Sequence, residues 1–303
     1  MPVDAELQPI LEELNKGPPL RDVPLEVLRQ GSPIPTEPPA HLENVVNRSI
    51  ALPHGEVRVR IYHPHTRRHL PVLVFFHGGG FVLGSLDSHD SLARMLALGA
   101  DCIVVSVDYR LAPEHRFPAA VEDCFAALCW AHEHAVELGA VGGKIVVGGD
   151  SAGGNLATVV ALRARDQGGP AIAGQLLVYP VTQLRGSLGG SMVTNGEGYF
   201  LRAIDMRWFE DMYLGASGAE SDADASPLSA PDLRGLPPAL LLTAEFDPLL
   251  DQGVAYATRL ADSGVQCVHR HYAGAIHGFF GMPTAISRRA VSEACTWLSA
   301  AFR

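Results

Sequence analysis

Lysine is nearly missing from this 303-residue chain: of its 23 basic residues only Lys16 and Lys144 are lysines. No arginine run exceeds a pair, and 33 acidic residues bring the formal net charge to -10. A duplex-binding stripe or an anionic-lipid patch needs clustered cations, so nucleic acid and charged membrane surfaces are poor candidates as partners. Cysteine is scarce too. Cys102, Cys124, Cys129, Cys267 and Cys295 form no CxxC pair and are odd in number, which points away from a zinc ribbon or a disulfide framework. Free buried thiols and a cytoplasmic location are the expectation. Long apolar runs are absent: the stretch over 70–76 falls far short of the ~18 residues that a membrane-spanning helix needs. The opening Met-Pro-Val-Asp-Ala-Glu has no cationic region of the kind that begins a signal peptide. With only 18% charged against 47% apolar residues, disorder is excluded, and one large fold is expected.

Residues 1 to about 45 stand apart. Leu7, Ile10, Leu11 and Leu14 lie on one face of a short amphipathic helix. A proline-rich stretch follows (Pro18, Pro19, Pro24, Pro33, Pro35, Pro38, Pro39), unable to continue a helix or to pair inside a sheet, and it should lie over something else. From Val45 the pattern turns to strands. Val57, Val59 and Ile61 alternate with Arg58, Arg60 and Tyr62, as in a half-exposed strand. The apolar runs at 73–76, 103–107, 145–147, 176–178 and 240–242 do not alternate, which fits strands covered on both faces, as in parallel sheets. Helical patterns at 92–98, 119–136, 152–165, 249–261 and 285–302 fall between or after them. The rhythm predicts an α/β doubly wound sheet with right-handed crossovers, broken by a helical excursion at about 181–235.

In such a sheet, ligands bind outside the carboxyl ends of the strands, and four unusual segments fall there. Gly149-Asp150-Ser151-Ala152-Gly153 fits G-x-S-x-G, a strand-to-helix turn in which any Cβ beside the strained serine would clash. A phosphate-cradling turn is the competing reading, but no Gly-Lys-Ser/Thr follows and Asn155 opens the helix instead. A serine nucleophile needs a base. His277, after the last strand and before Gly278, has room to present its ring, whereas His269 and His271 share a strand face and read as structural. His63 and His65 form an HxH beside a strand, but no neighbouring Asp, His or Cys completes a metal site, so no metal is expected. The imidazole needs a carboxylate to fix its tautomer. Asp247 leaves the strand at 240–242 directly, with Glu245 and Asp251 as rivals and a helix N-cap as the plain alternative. The bare run Gly78-Gly79-Gly80 and the N–H of Ala152 are candidate donors to a tetrahedral oxyanion, although glycine runs are often only flexible turns.

These segments resemble the hormone-sensitive-lipase-like bacterial esterases of the α/β-hydrolase superfamily. The resemblance rests on His77-Gly78-Gly79-Gly80-Phe81, Asp108-Tyr109-Arg110-Leu111-Ala112-Pro113-Glu114-His115, Gly149 through Asn155, Tyr179-Pro180, Asp247 through Asp251 and His277-Gly278-Phe279. It implies an α/β-hydrolase fold: a mostly parallel eight-stranded sheet (core about 46–180 and 236–303) with helices on both faces and a helical cap (about 1–45 and 181–235). It further implies Ser151, Asp247 and His277 as a triad, donors at Gly79, Gly80 and Ala152, His77 and Asp150 as motif support, and no cofactor. Leu250 departs from the family, which often has Arg there.

The expected activity is hydrolysis of short- to medium-chain carboxylic esters, with a small-molecule ester as partner. The same site would serve an arylacetamide-deacetylase-like amidase. A non-catalytic receptor, like the plant gibberellin receptors that lack the histidine, is disfavoured by His277. Phe81, Phe200, Leu201, Trp208, Phe209 and Met212 are candidate pocket residues, with cap-to-core packing as their equal alternative. An exposed last strand near Cys267 to Tyr272 leaves monomer or homodimer open.

Overall fold

The apolar segments that do not alternate become the centre of one eight-stranded sheet. The computed structural model describes residues 2–31, 34–52, 55–67, 69–186 and 190–303, so Pro33 of the proline-rich stretch lies outside the described residues. The strands are β1 (Asn44–Leu52), β2 (Gly55–His63), β3 (Leu70–Phe76), β4 (Ile103–Asp108), β5 (Ala140–Asp150), β6 (Gly174–Val178), β7 (Ala239–Phe246) and β8 (Cys267–Ile276). They run in the order β1-β2-β4-β3-β5-β6-β7-β8. β2 is antiparallel to both of its neighbours, and β4, β3 and β5 to β8 are parallel to one another.

Burial on both faces explains the lost alternation. Along β3, Val72, Val74 and Phe76 enter one apolar core while Leu73 and Phe75 enter the other. The first core packs against α4 (Ala119–Glu133), α5 (Ala152–Asp166) and α8 (Leu250–Asp262), and the second against α3 (Asp90–Ala100) and α9 (Ala285–Ala301). β2 is less open than its pattern predicts. Tyr62 is fully buried, because α3 covers it: its hydroxyl donates to Asp90 at 3.0 Å and Arg94 lies 5.9 Å from its ring.

The opening segment does lie over something. It forms α1 (Gln8–Leu14) and α2 (Leu25–Leu28), and it is bonded to the excursion, which contains α6 (Ser191–Thr194) and α7 (Ala203–Leu214). Asn15 Nδ2 donates to Gly198 O at 2.7 Å, Arg202 Nη2 to Gly17 O at 2.7 Å, and the Leu20 N–H to Asp205 Oδ1 at 2.8 Å. At its other end Arg29 donates to Val82 O and Ala112 O and pairs with both oxygens of Glu114, at 2.8 to 3.0 Å. Two stretches distant in sequence thus meet above the carboxyl ends of the strands.

Candidate active site

Register brings the four segments together. Phe76 pairs with Gly149, so the chain leaving β3 runs beside the chain leaving β5, and Phe246 pairs with Ile276, so Asp247 and His277 emerge side by side. The turn after β5 is tight. Ser151 has φ 55° and ψ −117°, a conformation that a non-glycine residue adopts only when its surroundings enforce it. The surroundings are glycine: a Cβ on Gly153 would lie 1.9 Å from the Phe76 carbonyl oxygen. Ser151 therefore stands at the N-terminus of α5, where the unpaired N–H groups favour negative charge.

His277 Nε2 lies 3.0 Å from Ser151 Oγ, and His277 Nδ1 lies 2.7 Å from Asp247 Oδ2. A carboxylate only accepts, so Nδ1 carries the proton and Nε2 is left to accept from the serine hydroxyl. Asp247 is fully buried and its second oxygen accepts the Leu249 N–H at 2.8 Å. Its backbone carbonyl and that of Glu245 accept from Asn195 Nδ2 at 3.2 and 2.9 Å, tying the excursion to this corner. The rival acids are engaged elsewhere: Glu245 accepts from the Gly274 N–H at 2.7 Å and Asp251 from the Ser191 N–H at 2.7 Å. Pro248 precedes α8, which begins at Leu250.

The glycine run divides. The N–H of Gly78 donates to Asp150 Oδ1 at 2.9 Å, so this residue, expected among the oxyanion donors, has spent its proton; that expectation is corrected. The N–H groups of Gly79, Gly80 and Ala152 take no acceptor among the described residues. Gly79 has φ 119°, and a Cβ there would lie 2.3 Å from Leu83 O. His77 is fully buried, stacks on Tyr109 at 4.3 Å and donates from Nδ1 to Gly78 O at 2.8 Å. Burial, with the nearby His89 adding to it, pushes its pKa down to about 4. Burial works to raise Asp150, but the charge and hydrogen bond of His89, with His77 and the Gly78 N–H, hold it below the usual carboxylate value.

A cavity of about 670 Å³ opens on Ser151 and His277. Phe81, Phe200, Leu201 and Phe209 line it, and a Cβ on Gly80 would lie 2.3 Å from the Phe209 ring. Trp208 and Met212 do not line it; they are half-buried and pack against the same apolar core that takes Phe209 and Met206. Leu20, Leu28, Arg29, Ile34, His89 and Met206, which the sequence did not single out, are also part of the wall. The only signal for Leu20, Leu28, Arg29 and Ile34 is the proline-rich opening. The HxH histidine His65 is bonded to Asp101 and Arg67, and His269 and His271 meet Thr243 Oγ1. Among the described residues no group of three or more His, Cys, Asp or Glu side chains is placed to hold a metal.

An activated hydroxyl, a tautomer-fixed imidazole and free backbone donors at one sheet edge can carry out acyl transfer. The family profile of the alpha/beta hydrolase fold matches residues 73–281, and the chain belongs to that family, in its hormone-sensitive-lipase-like branch. Its relatives are named esterases. It is 47% identical over 251 residues to the carboxylic ester hydrolase LipN of Mycobacterium tuberculosis, a match covering 81% of this chain and 66% of LipN. It is 43% identical over 283 residues to the esterase LipI of the same organism, covering 91% of this chain and 88% of LipI. A solved hyperthermophilic esterase from the archaeon Pyrobaculum calidifontis has the same fold at a TM-score of 0.92 and 39% identity, covering 99% of both chains.

Proposed function

We propose that the chain is a serine carboxylesterase that hydrolyses short- to medium-chain esters through an acyl-enzyme. The observation that carries this is the continuous relay from Ser151 Oγ to His277 Nε2 at 3.0 Å and from His277 Nδ1 to Asp247 at 2.7 Å. Ser151 Oγ attacks the ester carbonyl as its proton passes to His277 Nε2, and Asp247 holds the imidazolium that forms. The N–H groups of Gly79, Gly80 and Ala152 receive the oxyanion. The bond to the alcohol breaks, and the alcohol leaves with the proton from Nε2. Water then gives a proton to the same nitrogen, attacks the acyl carbon and releases the acid, restoring Ser151.

Residues 1–45 and 181–235 serve as a cap over a core of 46–180 and 236–303, supported by the hydrogen bonds that join Asn15, Gly17 and Leu20 to the excursion. The five free thiols support a cytoplasmic location. No helix among the described residues is long and apolar enough to cross a membrane. β8 ends the sheet, which suits pairing with a second copy; sedimentation at micromolar concentration separates monomer from homodimer. Turnover of p-nitrophenyl butyrate tests the main reading: Ser151→Ala should abolish it, and a wild-type rate in that variant would overturn the mechanism. An anilide paired with the matching ester tests whether amides are also cleaved, since both pass through the same acyl-enzyme.

A further inference from the structure

The mechanism above leaves one half-buried imidazole in the cavity wall unused. His89 occupies the N-terminal boundary of α3, yet its side chain makes no cap bond to that helix. Its Nε2 lies instead 3.1 Å from Asp150 Oδ1, and its Nδ1 lies 2.9 Å from Ser88 Oγ. Because the carboxylate accepts, Nε2 carries the proton and donates. The same Asp150 oxygen accepts the Gly78 N–H at 2.9 Å. One buried oxygen, a single residue ahead of Ser151, therefore joins the ring that precedes α3 to the backbone leaving β3.

That backbone needs fixing. Gly78, Gly79 and Gly80 have no side chains to hold them, so hydrogen bonds decide where their N–H groups point. The other anchors are the His77 Nδ1 donation to Gly78 O and the bonds from the Val82 and Leu83 N–H groups to Gly79 O, at 3.1 and 2.8 Å. Only Asp150 holds the N–H side of Gly78 among the described residues. A carboxylate in that place without the His89 donor would be buried and poorly compensated, free to turn or to take up a proton.

We propose that His89 is a positioning residue for the oxyanion donors: by holding the Asp150 carboxylate in place it fixes Gly78 and, through it, the N–H groups of Gly79 and Gly80. The inference rests on the esterase reading of the site. Donors to an oxyanion act mainly in the transition state, so their misplacement lowers kcat and leaves KM nearly unchanged. Deleting one such donor costs about 10²- to 10³-fold in rate, and a misplacement of about 1 Å can cost up to about 10²-fold.

The test compares two amides of different reach. His89→Gln places an N–H near the former Nε2. His89→Asn suits the start of a helix but is too short to reach Asp150. With p-nitrophenyl butyrate, His89→Asn should lower kcat about tenfold or more with KM within about twofold, while His89→Gln stays within about threefold of wild type. Should the Asn variant fail to give a native melting curve, His89→Leu takes its place. An undiminished kcat in the short or apolar variant, a loss confined to KM, or an equal loss in the Gln variant overturns the proposal. A wild-type enzyme that turns over no ester, and whose Ser151 is not labelled by a fluorophosphonate, would instead overturn the esterase reading beneath it.

Discussion

At the scale of single residues, the site depends on which atom holds which proton. Asp247 accepts from His277 Nδ1 and from the Leu249 N–H, so both its oxygens are committed as acceptors. Asp247→Asn offers an N–H to one of these donors, favouring the wrong imidazole tautomer, and kcat for a p-nitrophenyl ester should fall on the order of 10⁴-fold, by analogy with serine proteases. A rate unchanged in that variant would move the orienting role to another acid. His77 supplies a pH test. Its pKa is lowered from the ordinary 6.5 to about 4 by burial, so the unfolded chain takes up a proton that the folded chain refuses. The stability is fully present above pH 6.5 and is lost as the pH falls towards 4, with a loss on the order of 2 kcal/mol by pH 5. His77→Phe keeps a ring against Tyr109 and removes this group, so its urea midpoint should fall less than that of wild type between pH 7 and pH 5. Ser151, Asp247 and His277 were legible because a strand end followed by so particular a residue has few plain explanations. His89 was not, and neither was the commitment of the Gly78 N–H, because both depend on one carboxylate bridging two loops.

At the scale of elements, the central strands were readable and the walls of the cavity were not. Leu73 to Phe76 lacks alternation because helices cover both faces, which is a property of sequence. Tyr62 broke the expected exposure of β2 because α3 lies over it, which is a property of tertiary packing. The aromatic cluster on α7 predicted a pocket wall, but only part of it reaches the cavity: Phe209 faces the glycine run, while Trp208 and Met212 pack against the core without lining the cavity. This asymmetry makes a prediction for α7. Because the Phe209 ring occupies the space a Cβ on Gly80 would enter, Phe209→Ala should enlarge the cavity next to the proposed oxyanion donors. The preferred acyl chain should lengthen by about two carbons or more, and stability should fall by about 3 kcal/mol or less, the lower end of the usual range for a buried Phe, since the ring already borders empty space. An ester series with the optimum unmoved would place the acyl chain in another arm of the cavity.

At the scale of the molecule, the proposed function makes the cavity and the cap over it the determinants of the substrate. Its volume of about 670 Å³ lies within the range of small-molecule sites, and residues from the opening segment and α7 close over it. Each methylene of an acyl chain that enters the cavity gains about 0.8 kcal/mol, so kcat/KM should rise by up to about fourfold per carbon while space remains. Once the walls are met, further methylenes must stay in water or part the roof from its anchors at Asn15, Leu20 and Arg29, and the gain stops. Together with the family resemblance, this places the optimum at about C4 to C8, with emulsified long-chain triglyceride a poor substrate. A C2 to C16 p-nitrophenyl ester series measures it directly: kcat/KM should climb, turn over within that interval and decline. A rise continuing to C16 would mean that the opening segment and α7 do not bound the acyl site at all.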